Sequence, residues 1–224
     1  MPENKSIVRP PSQCSHCNTR LGWRDLIPVI SYVWSGGRCR HCQARISLQY
    51  PLAELSTGLL FLWVFGRFGF TLESLMGFAL VSLCVIVTIT DCKFMRIPNK
   101  VLLAFLPLLV LLRIAIPLHP LWNHLLGAVA GLGITLAIAL LTRGMGMGDV
   151  KLFALFGWVL GFPQVIVAFI LACALGSLAG GLLILTGRVK RKQHIPFAPW
   201  LAAGTVITFG YGTQIISGYL SLIS

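Results

Sequence analysis

Asp91 and Asp149 are the residues from which chemistry is most readily built. Only 6 of the 224 residues are acidic, so each can be weighed individually. Glu3 and Asp25 lie in a polar N-terminal stretch, and Glu73 falls in an outer loop on the reading below. Glu54, Asp91 and Asp149 remain, near or within apolar segments. An ionisable group at membrane depth is costly and is a functional candidate by default. Asp91 closes one apolar segment and Asp149 opens another, at ends assigned to the same side. Two carboxylates sharing a site resist joint ionisation and hold one proton between them. One can then take a proton from water while the other donates to a peptide carbonyl oxygen, as an aspartic protease requires. No Ser–His pair or His-rich metal set competes: His16, His41, His119, His124 and His194 are scattered over loops and ends. Taken singly, each aspartate has a plainer use. Asp149 suits a helix N-cap after a glycine turn, and Asp91 suits a helix end paired with Lys93 or Arg96.

A second set of chemical groups is Cys14-Ser15-His16-Cys17 and Cys39-Arg40-His41-Cys42. The 21 residues between these C-x-x-C pairs slightly exceed the usual zinc-ribbon spacing. Four thiolates at Cys14, Cys17, Cys39 and Cys42 suit a tetrahedral Zn²⁺. A filled four-cysteine site has no open position, so the zinc is expected to be structural. Its expected task is to hold residues 1–49, which carry too little core to fold alone. A redox dithiol or unliganded packing is the alternative. His16 and His41 are expected in solvent or outside the ligand set, and Cys84, Cys92 and Cys173 as packing residues in or beside helices.

These groups must be positioned by a largely apolar chain. Hydrophobic residues make up 56% and charged residues 11%, with a mean hydropathy of +0.84. A soluble domain carries about twice that charged fraction. The expected fold class is therefore an all-α polytopic membrane protein. A disordered chain, a disulfide-rich scaffold and a soluble nucleic-acid binder are excluded, and no nucleic-acid partner is expected. The first 49 residues differ, with four of the 7 cysteines and no long apolar run. They show no signal-peptide pattern, so none is expected. The expected division is a tetracysteine domain at 1–49 and a transmembrane domain at 50–224.

About seven spans are expected, near 51–66, 72–90, 99–116, 121–142, 150–161, 163–186 and 196–222. The fifth is short, tilted or begun by unwound backbone. Glycines within spans, such as Gly127, Gly131 and Gly176, suit close helix packing. With the N-terminal region inside, only Arg67 and Arg113 of the 18 basic residues fall outside. Lys93, Arg96, Lys100, Arg143, Lys151, Arg188, Lys190, Arg191 and Lys192 then all face the cytoplasm, as the positive-inside rule requires.

The flanks of the aspartates carry a family resemblance. Gly146-Met147-Gly148-Asp149 is similar to the GxGD signature of intramembrane aspartyl proteases. Thr90-Asp91-Cys92-Lys93-Phe94-Met95-Arg96-Ile97-Pro98-Asn99 resembles the first aspartate motif of bacterial prepilin peptidases, the type IV leader peptidases. Ile195-Pro196-Phe197-Ala198-Pro199-Trp200 resembles that family's third motif. Asp25-Leu26-Ile27-Pro28-Val29-Ile30-Ser31-Tyr32 and Arg45-Ile46-Ser47-Leu48-Gln49-Tyr50-Pro51-Leu52-Ala53-Glu54 match as well, so the resemblance covers nearly the whole chain.

The resemblance implies cleavage after glycine in a short basic leader, then N-methylation of the new N-terminus from S-adenosylmethionine. It implies prepilin or pseudopilin substrates from a pilus, type II secretion or DNA-uptake system. It also implies a bacterial inner-membrane enzyme with its N-terminus and active site facing the cytoplasm. Asp91 and Asp149 would be the catalytic pair. Gly146 and Gly148, free to adopt positive φ, would let the backbone approach an unwound peptide. Lys151 would bias the pair's protonation, or act simply as a positive-inside anchor. Pro196, Phe197 and Pro199 would wall the substrate cleft, the prolines also suiting a helix start. Glu54 is a loose candidate for either activity, or a partner of Arg45. The family usually opens with a further apolar span, whereas this chain opens with Met1-Pro2-Glu3-Asn4, so a shortened variant or a late start is expected. A rival reading is a transporter or scaffold whose zinc ribbon recruits a partner. It leaves the paired aspartates unexplained.

Overall fold

The computed structural model describes residues 12–14, 16–116, 120–142, 144–187 and 196–223. Glu3, His119, Arg143, Arg188, Lys190, Arg191, Lys192, His194 and Ile195 lie outside the described residues. The chain divides into two compact units, Met1–Leu60 and Phe61–Ser224.

In the first unit, a 3₁₀ turn at Trp23–Asp25 is followed by the short helix α1 (Ile30–Trp34). Helix α2 (Gln49–Phe68) begins in this unit and continues into the second. The second unit is built from α3 (Leu72–Phe94), α4 (Asn99–Ala115), α5 (Leu121–Thr142), α6 (Met147–Leu160), α7 (Gln164–Leu185) and α8 (Ala198–Ile223). Among the described residues there are no strands, only the isolated bridges Gln13–Arg20 and Arg38–Arg45. Each of the seven apolar segments read from the sequence is a helix. Among the described residues, α3, α5 and α7 are long and apolar enough to cross a membrane. Helix α6 has 14 residues, fewer than the roughly 20 a perpendicular span needs.

Local sequence explains where the helices stop and start. Thr71 caps α3 by accepting the Ser74 N–H at 3.3 Å. Met95 ends α3 in the left-handed conformation (φ 50°), its N–H bonded to the Asp91 carbonyl at 2.8 Å. Gly161, at φ 80°, ends α6. Gly146 precedes α6 in extended conformation (φ −75°). The helix thus starts at Met147, earlier than expected, and the GxGD stretch is not unwound beyond Gly146. Neither Gly146 nor Gly148 has positive φ, which corrects that expectation. A Cβ at Gly148 would stand 3.0 Å from the Ile97 side chain, so this glycine serves close approach.

Helix α6 is central, packed against α4, α5, α7 and α8, while α3 packs against α4 and α8. Leu152, Phe153, Phe156 and Val159 of α6 are fully buried with Met76, Leu80 and Leu83 of α3 and Leu201 of α8. The α5–α6 seam is closest of all. A Cβ on Gly127 would strike the Gly157 carbonyl, and one on Gly157 the Gly127 carbonyl. Gly131 meets the Phe153 carbonyl in the same way, at 2.7 Å from an added Cβ. The small residues expected to serve packing do so here. The outward faces of α5 and α7 remain apolar, with Leu126, Val129, Leu140, Leu178, Leu182 and Leu185 exposed. Such faces suit hydrocarbon rather than water.

Candidate active site and metal centre

Asp91 stands in the last turn of α3 and is buried, with 6% exposure. Its Oδ2 accepts the Ala198 N–H at 3.1 Å. Ala198 is the first residue of α8 and fully buried. A helix leaves its first N–H groups without partners. Pro199 has none to offer, and the Trp200 and Leu201 N–H groups return to the Phe197 carbonyl. The Ala198 N–H is therefore the donor open to a carboxylate, and a negative charge is favourable at that helix end. Asp91 consequently joins two distant motifs and does not pair with Lys93 or Arg96 as its plainer use suggested.

Asp149 is the third residue of α6, not its N-cap. Its Oδ2 reaches back to accept the Gly146 N–H at 3.2 Å. A Cβ on Gly146 would lie 3.3 Å from that same oxygen, which explains the glycine. The other oxygen, Oδ1, is buried and has no hydrogen-bond partner among the described residues. The Asp91 carboxylate lies within electrostatic reach of it.

Two contacts fix the start of α6 to the segment after Asp91. Gly148 abuts Ile97, and the exposed Lys151 donates from Nζ to Asn99 Oδ1 at 3.2 Å. Phe197 packs on the core and, with Trp200, lies against Gly176 of α7. Pro196 and Pro199 are half-buried beside it. The sequence brought out both aspartates. It missed Ile97, Asn99 and the Ala198 N–H that hold them. The available signals were Pro98 directly before Asn99, and Pro199 removing the neighbouring donor.

In the first unit, the Sγ atoms of Cys14, Cys17, Cys39 and Cys42 all lie within 4.8 Å of one another. Cys14 and Cys42 Sγ are 3.8 Å apart, far beyond a disulfide bond. Thiolates bound tetrahedrally to one ion at about 2.3 Å are about 3.8 Å apart, so the four residues fit a metal ion. The residue after each cysteine pair adopts the same left-handed conformation. Asn18 and Gln43 hold φ of 54° and 58°, and their N–H groups bond the Cys14 and Cys39 carbonyls, both at 2.9 Å. Hydrogen bonds from Thr19, side chain and backbone, lower the Cys17 thiol to about 6. Backbone N–H groups of Cys42 and His41 lower Cys39. At Cys42 an Ala44 backbone bond lowers the pKa, but burial and the three neighbouring sulfurs outweigh it and push it up to about 11. Thiolate is the metal-binding form, so the lowered members favour binding at neutral pH. His16 and His41 are exposed and outside the cluster. Glu54 Oε2 accepts the Val29 N–H at 2.8 Å, which is the partner observed in place of the Arg45 contact anticipated for it.

Comparison with known proteins is consistent with this geometry. Residues 1–68 match the Bacterial Peptidase A24 N-terminal domain, and residues 78–181 match the Type IV leader peptidase family. The chain is 42% identical over 223 residues to a prepilin leader peptidase/N-methyltransferase of Bacillus subtilis, covering 99% of this chain and 90% of that protein. It is 34% identical to one from Aeromonas salmonicida, covering 99% and 78%. It is 33% identical to one from Neisseria gonorrhoeae, covering 91% and 72%. No solved structure matches. With paired aspartate motifs, a tetracysteine cluster and full-length similarity of this kind, the chain belongs to the type IV leader peptidase family.

Proposed function

We propose that this protein is a membrane aspartyl endopeptidase that removes the leader of type IV prepilin-like proteins after glycine, with Asp91 and Asp149 as its catalytic pair. The observation that carries this reading is the convergence of two separated motifs. Asp91 is fixed by α8, and Asp149 keeps a buried oxygen without a hydrogen-bond partner among the described residues, within reach of the Asp91 charge. One carboxylate accepts a proton as water attacks the scissile carbonyl carbon, and the other gives a proton to the carbonyl oxygen. Collapse of the tetrahedral species re-forms the C=O, breaks the C–N bond and passes a proton to the leaving amine. Gly146, Gly148, Lys151, Pro196, Phe197 and Pro199, close in sequence to Asp149 or to Ala198, would meet the substrate on this reading.

On the same reading, residues 1–49 form a cap held by one structural Zn²⁺ on Cys14, Cys17, Cys39 and Cys42, and residues 50–224 form the protease domain. The relatives' names support a second activity, N-methylation of the new N-terminus. S-adenosylmethionine would supply the methyl group. Glu54 is committed to the Val29 backbone, and no residue is assigned to the donor. The basic-residue pattern supports an inner-membrane protein with its N-terminus and active site in the cytoplasm. Substrates would be prepilins or pseudopilins of a pilus, type II secretion or DNA-uptake system. Their apolar stalks would lie in the bilayer.

The test is cleavage of a model prepilin by purified protein beside Asp91→Asn and Asp149→Asn. Cleavage after glycine by the wild type, with each folded variant inactive, is the expected result. Equal cleavage by all three would assign the aspartates a structural role and sink the reading. Intact-mass analysis with S-adenosylmethionine present tests methylation by a single methyl increment.

A further inference from the structure

The ends of α3 and α6 remote from the aspartates carry a polar cluster that the reaction does not use. Arg113 of α4 is 4% exposed. Its Nη1 donates to Glu73 Oε1 at 2.9 Å, in the first turn of α3. Its Nη2 donates to the Val159 carbonyl, in the last turn of α6. Helix ends leave their last carbonyls unpaired, and a cation is favourable there. The neighbouring Trp158 carbonyl is met by His124 Nδ1 of α5 at 3.1 Å. A carbonyl only accepts, so that nitrogen carries the proton. The end of α6 is thus clamped from α4 and from α5. The sequence had set Glu73 and Arg113 aside as outer-loop residues. Both lie within helices and are largely buried, which corrects that assignment.

We propose that Arg113 is a positioning residue for the aspartate pair: one guanidinium ties the start of α3 to the end of α6, the two helices whose other ends carry Asp91 and Asp149. This rests on the reading of those aspartates as the catalytic pair. Stability alone is a poor reason for the arrangement. Arg113 Nε and Glu73 Oε2 are buried without hydrogen-bond partners among the described residues. Apolar residues in place of such a pair are often neutral or stabilising. The connections, by contrast, are specific. A planar fork presents two separate nitrogens to acceptors on two helices in a fixed geometry, whereas a lysine has a single nitrogen on a flexible stem. Helix α6 is short and straight-walled by its core contacts, so a shift at Val159 reaches Asp149 about 15 Å away. Asp91 lies about 27 Å along α3 from Glu73.

The test compares Arg113→Met/Glu73→Leu with Arg113→Lys in the full chain, using a model prepilin below each variant's melting temperature. The double variant leaves no orphaned charge, so its melting temperature should stay near wild type. Its kcat should fall about 100-fold, as misplacement by about 1 Å does, with KM unchanged. Arg113→Lys keeps the Glu73 pair, loses the bridge to α6, and should fall between the two. Wild-type kcat in a folded double variant overturns the proposal. If the double variant does not fold, wild-type kcat in Arg113→Lys overturns it equally. Asp91→Asn and Asp149→Asn run alongside separate the two claims. Activity in those variants defeats the catalytic assignment, whereas their inactivity with unaffected Arg113 variants defeats only the positioning role.

Discussion

The tetracysteine region and the helices from α3 onward meet opposite constraints. Among the described residues of 12–48, Cys39 is the one buried apolar side chain, while Trp23, Ile30, Val33 and Trp34 are all exposed. Such a segment cannot cover the entropy of ordering itself by burial. Four sulfurs converge there instead, each cysteine pair followed by a left-handed residue. The helical unit has a continuous core and needs no cross-link. Its expense lies in buried charged groups, and among the described residues Asp91 and Arg113 stand near the ends of their helices. On the proposed reading, a metal would hold the first region together without taking part in a reaction. In the second, packing would hold together the two carboxylates proposed to do the reaction.

Separate perturbations should therefore break one region and spare the other. The largest expected effect on catalysis is Asp91→Asn or Asp149→Asn, each costing about 10⁴-fold or more in kcat. Zinc content, measured by atomic emission, should stay at wild-type level in both. Cys39→Ser should do the reverse. It should abolish zinc binding and expose the amides of residues 12–48 to hydrogen exchange, with the melting of α3–α8 retained. A common loss of protection in both regions would show that the two are not independent. Gly157→Ala should lower thermal stability by about 1–3 kcal/mol, since its Cβ would strike α5 backbone rather than a movable side chain. Lys151→Met should matter least. Its exposed bond to Asn99 contributes under about 1 kcal/mol, so stability and cleavage should change by about twofold at most. Tighter binding of a basic leader at low salt should be equally slight, because the basic residues assigned to the cytoplasmic side would repel it. A steep salt dependence of KM would contradict this.

Much of this architecture can be read from the chain because apolar length and charge position act locally. The helix ends fall within a few residues of the expected spans, and both aspartates stand out as rare acids, Asp149 directly after Gly148. What holds the aspartates could not be read. The Asp91–Ala198 bond spans 107 positions, and no local pattern specifies it. Glu73 and Arg113 misled for a related reason. Charges at segment ends suggest solvent, yet these two neutralise one another across α3 and α4 and are thereby buried. The glycines of the GxGD motif misled in detail, since the helix starting at Met147 takes in Gly148, whose lack of a side chain admits Ile97, while Gly146 lies before it against Asp149. The shared left-handed residue after each C-x-x-C pair was also hidden. Their sequences share little beyond the cysteines and one histidine, and the similarity resides in backbone angles at Asn18 and Gln43.

The bare backbone contact between Gly127 and Gly157 has a mechanical consequence. Helices separated by side chains can slide, because rotamers yield. Helices in direct main-chain contact have nothing compliant between them, so α5 and α6 move as one plate. On the proposed reading, any breathing that admits a substrate's apolar stalk to the aspartates would occur at another seam. One such seam is the α3–α8 boundary, which the Asp91–Ala198 bond crosses beside the aspartates.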